Sequence, residues 1–452
     1  MIGPARIAAY EILRSVSAER ASLPTAIAAF RKNLYDDRDR ALAAEIATGV
    51  QRWRAALDHV VAAAARRPIE RLDPEVVDIL RLSTYQLLHL TRVPAAAVVD
   101  DAVELTRRAG KRSAAGFVNA VLRSVSRRRR SLPLPRRPTD PTNRTGALDY
   151  LSVTLAHPRW LVERWFDRFG FADTERWLQF NNAPAPLTLR ANRFRTTPDD
   201  LVRRLAADDV EAEPGRFAPD ALIVRRGNAH AMSDEGLFVV QDEASQLIAL
   251  LVGREPGNRV LDACASPGGK TTAIAAAMRD KGLLVACDVR QPRMELLART
   301  VAATGAGNVR LVQADLTKPL PFSRPFDCVL VDAPCSGLGI LRRDPDIRWR
   351  RREDDLPALA AAQLVMLQHA AEVVSPGGRL VYATCSSEPE ENEGVAAAFL
   401  ATTPLFRAVD LGREDTDVPP EVIDDRGRLR TYPHVHGLEA FFGAAFVRTG
   451  SG

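Results

Sequence analysis

The spacing of apolar residues divides this chain into stretches with different grammars. Over residues 1–125 they recur three and four apart, as in Ile7, Tyr10, Ile12, Leu13 and Val16, and again in Val76, Val77, Ile79, Leu80, Leu82, Leu87 and Leu88. That period predicts an all-helical region whose helices each bury one face. Pro24, Pro68, Pro74 and Pro94 fall at the expected starts or joints, where a backbone N–H would have no helical partner anyway. Residues 126–146 (SRRRRSLPLPRRPTDPTNRTG) lack a periodic core and read as a basic, proline-rich linker. Residues 148–236 mix both grammars: LAHPRWLVERWFDRFG and ADTERWLQFNN predict two helices, and PLTLRAN and ALIVRR predict strands around the helix DDLVRRLAADD. Trp160, Trp165, Phe166, Phe169 and Trp177 are expected in the core of this small α+β module rather than stacked on bases. From about 237, the strands NRVLDACA, GLLVACD, NVRLVQAD, FDCVLVDAP and GGRLVYATC alternate with helices such as QPRMELLARTVAATG and LPALAAAQLVMLQHAAEVV. Alternation of this kind predicts an α/β domain with a parallel, doubly wound sheet. The tail HGLEAFFGAAFVR predicts a further strand or hairpin closing the sheet edge.

Charge is unevenly placed on this framework. Residues 1–146 hold 26 Lys+Arg against 15 Asp+Glu, whereas the remainder holds 36 against 42. The overall +5 therefore hides a basic front end on a slightly acidic body, which points to nucleic-acid contact by the N-terminal part. A solvated helical surface is the plain alternative, since only five of the 62 basic residues are lysine and arginine is simply favoured. The run Arg127–Arg130 is open to both readings. No apolar run approaches the ~20 residues that span a bilayer. The first residues, MIGPARIAAYEILR, read as a helix without the apolar stretch of a signal peptide. Cys264, Cys287, Cys328, Cys335 and Cys385 all lie in the C-terminal half, on predicted strands or at their ends. Such clustering is unlike a disulfide framework and suggests a reducing, cytoplasmic setting. No His/Cys ladder has zinc spacing, so no metal is expected.

Candidate chemistry follows from what lies at the strand ends. The first strand of the α/β region runs into Cys264, Ala265, Ser266, Pro267, Gly268, Gly269 and Lys270, and then a helix. Glycines at such a turn let backbone approach a ligand, and the helix N-terminus favours an anionic group. Asp288 ends the next strand, twenty residues beyond Gly268, where an acid could bind ribose hydroxyls, and Asp315 at the third strand could reach an adenine. NAD would want Gly-x-Gly-x-x-Gly, which is absent, and a P-loop would want a glycine at Ala265. S-adenosylmethionine fits best. A glycine turn serving only strand-to-helix packing would not predict acids at both following strand ends. Cys335, in DAPCSG, and Cys385, in YATCSS, each follow a short apolar run and are expected at neighbouring strand C-termini, close to Asp332. A thiolate there could attack an electron-poor ring. Cys287 and Cys328 are expected in the core. Leu338–Trp349, with its three arginines, could contact substrate backbone or be an exposed loop tethered by Trp349.

DACASPGGKTT, DAPCSGLGILRRDPDIRW and YATCSSEPEENE resemble the motifs of RNA (cytosine-5) methyltransferases, over roughly residues 237–450. The chain is most similar to the bacterial small-subunit rRNA enzymes of the RsmB (Sun/Fmu) type, and residues 1–130, notably GFVNAVLR, resemble their NusB-like domain. Ser266 stands where alanine is commoner in that family. The resemblance implies a NusB-like RNA-binding domain over 1–130, a linker over 131–147, the α+β module over 148–236 and a Rossmann-like S-adenosylmethionine-dependent methyltransferase domain over 237–450. It also implies that Cys385 attacks carbon 6 of cytosine, that Asp332 protonates or hydrogen-bonds ring nitrogen 3, and that Cys335 serves product release. Cys264 through Lys270, Asp288, Asp315 and Asp332 would hold the cofactor. The implied partner is RNA, 16S rRNA first, with no membrane, and a monomer is expected. The same chemistry on tRNA, or an inert RNA-binding scaffold, are the alternatives. Retention of both cysteines, Asp332 and the glycine loop argues against the scaffold.

Overall fold

The computed structural model describes residues 2–253, 255, 257–414 and 416–450, and the chain divides into two compact units. The first comprises the chain up to Pro184 together with Leu341–Arg351. Its helices Pro4–Ser17, Leu23–Arg31, Asp37–Ala65, Pro74–His89, Ala95–Arg108 and Ala115–Arg128 bury the predicted apolar faces, with Ile12, Leu13, Ile46, Ile79, Leu80 and Leu122 at the centre. Pro74 opens its helix at the first turn and Pro94 caps the next, as their spacing predicted. Gly49 is required where the helices Asp37–Ala65 and Pro74–His89 cross, because a Cβ there would lie 2.0 Å from the Tyr85 ring.

Two features depart from the linear reading. Arg127 and Arg128 belong to the last turn of the helix Ala115–Arg128, where their charge complements the helix dipole, so the irregular segment starts later than its composition suggests. The α+β stretch is also divided. Its helical half, Arg144–Asp149 and Arg159–Asn182, packs with the N-terminal unit, and its strands belong to the other. Arg159–Asn182 is broken at Gly170, whose φ of +75° and ψ of 178° leave helical space, which matches two predicted helices rather than one. Trp165 and Trp177 are fully buried and stack at 4.4 Å, so they serve the core as expected; Trp160, Phe166 and Phe169 are only partly covered.

The second unit holds two sheets. The smaller is antiparallel, in the order β2-β3-β1-β4, from β1 (Leu187–Ala191), β2 (Glu211–Pro214), β3 (Ala221–Arg226) and β4 (Phe238–Val240). The larger runs β10-β12-β9-β8-β5-β6-β7, with β5 (Arg259–Asp262), β6 (Leu283–Asp288), β7 (Val309–Gln313), β8 (Phe326–Asp332), β9 (Val374–Thr384), β10 (Phe406–Ala408) and β12 (Phe442–Arg448). A short β11 (Leu429–Arg430) pairs with β12 off that path. Strands β5 to β9 are mutually parallel, as alternation predicts. The tail strand β12 does not close the edge: it lies antiparallel between β9 and β10, and the edge falls to the three-residue β10. Helices cover both faces, and cores form on either side of the sheet, around Leu247, Ile274 and Leu330 on one and Val329, Leu367 and Phe399 on the other. Among the described residues no helix is long and apolar enough to cross a membrane.

Candidate active site

The order of the large sheet reverses at β5. The chain leaves it towards β6 and β7, then returns to β8 on its other side. Ligands of doubly wound sheets bind at the carboxyl ends of the strands flanking such a reversal. The predicted site residues converge there. After β5 comes the glycine turn, and Gly268, with a φ of +104°, caps the helix Gly269–Ala277. A Cβ at Gly268 would strike the Leu297 side chain at 2.9 Å, so this turn needs glycine both for its backbone and for its space. Lys270 reaches across the reversal to Asp332 at the end of β8, with Nζ 2.6 Å from Oδ2. Burial works to lower the Lys270 ammonium, but Asp332, the hydrogen bond to it and the Cys385 sulfur together hold it above its ordinary range. A cavity of about 180 Å³ opens beside this pair, lined by Gln241, Ser266, Pro267, Gly269, Lys270 and Asp332 among others.

Asp288 ends β6 and is almost fully enclosed. It accepts from the backbone of Val289 and Ser266, and Arg293 Nε donates to it at 3.1 Å. Asp315 lies two residues past β7 and accepts from the Thr317 hydroxyl and amide, which hold it below the usual carboxylate range. A bare glycine backbone, an enclosed acid at the second strand end and a lysine–aspartate pair at the reversal form a donor and acceptor set that suits S-adenosylmethionine. Cys264 follows β5; burial first, then Asp262, Asp332 and Asp288, pushes its thiol far above its normal range, so it lines the turn rather than reacts. Cys287 and Cys328 are buried and pushed up to about 12 by that burial, as core residues should be.

Cys335 and Cys385 meet as their spacing predicts. In the β8–β9 register Asp332 faces Ala383, so the loops that follow leave the sheet side by side. The two Sγ atoms are 3.3 Å apart. Their shared hydrogen bond, then burial, then the charge of Glu391, push the Cys335 thiol well above its ordinary range. Gly339 wedges the first loop against the second: its N–H donates to the Cys385 carbonyl at 2.9 Å, and a Cβ would lie 2.0 Å from the Ala440 oxygen.

Matches with characterised families agree with this arrangement. The family described as 16S rRNA methyltransferase RsmB/F matches residues 249–447, the NusB family residues 3–127, and the RsmF/B-like ferredoxin-like domain residues 157–230. A probable ribosomal RNA small subunit methyltransferase B of Bacillus subtilis is 34% identical over 91% of this chain and 91% of its own. The chain belongs to this S-adenosylmethionine-dependent methyltransferase family. The Pseudomonas putida ribosomal RNA small subunit methyltransferase B is 35% identical over 90% of this chain and 92% of its own. Among solved structures, PH0851 superposes with a TM-score of 0.81 at 26% identity, covering 99% of both chains. A methyltransferase homologue from Pyrococcus horikoshii reaches 0.58 at 27% identity, over 67% of this chain and 98% of that one.

Several residues in the site carry no motif signal. Arg190, on β1 of the small sheet, is buried and donates to the Gly269 carbonyl, to Gln241 and to Thr272, so it braces the glycine turn from behind; burial pulls it down to about 10. Within the motif DACASPGGKTT itself, Asp262 accepts from Thr271 at 2.7 Å, and burial raises it to about 7. Conversely, the segment after Cys335 corrects an expectation. Arg348 is fully buried within the helical unit, where it donates to the carbonyls of Arg52, Ala156 and Leu341 and to Asn182. Trp349 Nε1 donates to the Gln51 carbonyl at 2.6 Å, and Asp346 accepts from the Leu23 amide. Arg348 is therefore a structural anchor rather than a phosphate contact, and the loop is not merely tethered by Trp349 but built into a core.

Proposed function

We propose that this protein methylates carbon 5 of a cytosine in 16S rRNA through a covalent adduct between Cys385 and carbon 6 of the base. The observation that carries the reading is the pairing of the Cys335 and Cys385 sulfurs, 3.3 Å apart at neighbouring strand ends, beside an Asp332 already bonded to Lys270. Carbon 5 of cytosine is a weak nucleophile. Addition of the Cys385 thiolate to carbon 6 moves electron density onto the ring, and Asp332 in its acid form would donate a proton to nitrogen 3, where that density gathers, and become the carboxylate. Lys270 holds Asp332 in place. When bound, S-adenosylmethionine supplies an electrophilic methyl group; Gly268, Gly269, Lys270 and Asp288 are the residues that would hold it. Release requires loss of the carbon-5 proton and of the carbon–sulfur bond, which returns Cys385 as the thiolate. In that step Cys335, having given its own proton to solvent, would take the carbon-5 proton, and the raised affinity for a proton that its surroundings impose makes its thiolate a strong base. The target base has to leave its stack to reach sulfurs at this depth.

The RNA reading draws support from the N-terminal charge and from a cavity of about 660 Å³ in the helical unit. Leu23, Pro24 and Ile27 give it an apolar floor, and Arg31, Lys32 and Arg40 contribute charge to its lining. An rRNA substrate and cysteines without disulfide partners support a cytoplasmic enzyme. Transfer of labelled methyl to unmodified small-subunit rRNA, with tRNA in parallel and nucleoside analysis of both, tests the proposal. Label in 5-methylcytidine from rRNA is expected. Label from tRNA alone would overturn the substrate, and label in another nucleoside would overturn the chemistry.

A further inference from the structure

Behind the two cysteines lies a carboxyl group that the reaction itself does not use. Glu391, in a short turn after β9, is fully buried, and no ion pair among the described residues involves it. Its partners come from both cysteine loops. Oε1 accepts the backbone N–H of Ser336, next to Cys335, at 2.8 Å, and Gln363 Nε2 at 2.9 Å. Oε2 accepts the hydroxyl of Ser386, next to Cys385, at 2.5 Å. The same two serines approach each other at 3.1 Å, and Gln363 also donates to the Pro334 carbonyl at 3.0 Å. Tyr382 locks the Glu391 backbone by donating to its carbonyl, and Asn392 ties Thr384 to the Ser386 carbonyl.

We propose that Glu391 is the positioning residue that sets the two catalytic cysteines against each other, by accepting from the residue that follows each of them. The inference rests on the cysteine chemistry proposed above. Three donors converge on this group, which is what an acceptor-only carboxylate satisfies and an amide does not. The Ser386 oxygen accepts the Glu388 amide at 3.1 Å and donates its proton to Glu391, whose oxygen can only accept. An amide in place of the carboxylate would present a donor to that oxygen and force the Ser386 proton towards Ser336. Position and charge act together, because the Glu391 charge also disfavours a thiolate at Cys335. Glu391 thus adds, after the hydrogen bond to Cys385 and burial, to what disfavours a resting thiolate at Cys335.

Glu391→Gln separates this role from folding. With melting temperature and cofactor affinity close to wild type, its kcat is expected to fall about 10²-fold with little change in KM for RNA, since small displacements of reacting groups cost on that order. Thiol mapping supplies a readout independent of RNA. Limited alkylation with iodoacetamide, followed by peptide mass spectrometry, should label Cys385 ahead of Cys335 in wild type. In Glu391→Gln the onset of Cys335 labelling should move to lower pH, because a negative charge has been removed beside it. Wild-type turnover with an unchanged labelling pattern would overturn the inference, as would an activity loss that merely follows unfolding in the melting curve. A wild-type protein inactive on RNA whose labelling preference still depends on Glu391 would sink the cytosine reaction and retain the positioning role.

Discussion

The two sides of the strand-end cleft are built from opposite materials. On the cofactor side the key groups are charged and neutralise one another: Asp288 with Arg293, Lys270 with Asp332, Asp315 with Thr317 and Lys318. Arg293 is half-exposed and Asp315 about a third exposed. On the cysteine side the supporting groups are buried and mostly neutral: Ser336, Ser386, Gln363, Tyr382, Thr384 and Asn392 around one carboxyl. The difference matches the two tasks. A cofactor that comes and goes needs charged groups that can exchange partners, and the partly exposed Arg293 and Asp315 allow that on this side. A covalent step needs sulfurs held to a fraction of an ångström, which buried and fully bonded networks provide.

Replacing the sulfur proposed to attack should produce the largest effect. Cys385→Ala is expected to lower methyl transfer by at least about 10³-fold while cofactor affinity stays within a factor of two, because the two sides are separately built. Its counterpart Cys335→Ala should accumulate a slow-migrating protein–RNA adduct on denaturing gels. Parallel loss of cofactor binding in Cys385→Ala would show the sides to be one network.

Next in size is the enclosed acid. Asp288→Ala should weaken cofactor binding by about 10- to 100-fold, the value of charge-assisted hydrogen bonds of about 1.5–3 kcal/mol. At saturating cofactor its kcat should approach wild type, and a kcat that stays low would place Asp288 in the chemistry.

A smaller effect concerns pH. Asp262 is raised to about 7 in the fold, against about 3.9 in an unfolded chain. Between those values the native state holds a proton that the unfolded state has lost, so stability falls as pH rises from about 4 through 7. Wild type should therefore lose more melting temperature between pH 5 and pH 8 than Asp262→Asn does. Superimposable pH curves for the two proteins would mean that Asp262 is ionised in the native state.

The smallest effect expected is that of Arg293→Ala. Arg293 is half-exposed, so its pairing with the enclosed Asp288 is expected to be worth about 1 kcal/mol, and cofactor affinity should move by about five-fold in calorimetric titration. A larger change would make the cofactor side as tightly specified as the cysteine side.

Periodicity made most of the fold legible. Helical spacing identified the N-terminal helices, and strand–helix alternation identified β5 to β9, since both patterns record which faces are buried. The glycine turn, the acid after each strand and the two cysteines were legible because a doubly wound sheet brings strand C-termini to one edge whatever the loops do. Where β12 inserts was not legible. A strand's pattern states that it pairs, and the choice of neighbours is made by the packing of the whole sheet.

The sequence by itself determined which candidate residues meet: Cys335, Cys385, Asp332, Asp288 and the glycine turn lie in local motifs, and regular strands deliver them to one place. Only the tertiary structure decided what supports them. Arg190 braces the glycine turn from 79 residues away, and Glu391 joins loops whose bonded residues are 55 and five positions away. The continuous motif around DAPCSGLGILRRDPDIRW is also divided between the two units at Ile340 and Leu341, and its Arg348 becomes the centre of a helical core. Such assignments depend on which buried donors and acceptors must find partners once the chain has packed, and that requirement has no period to be read along the sequence.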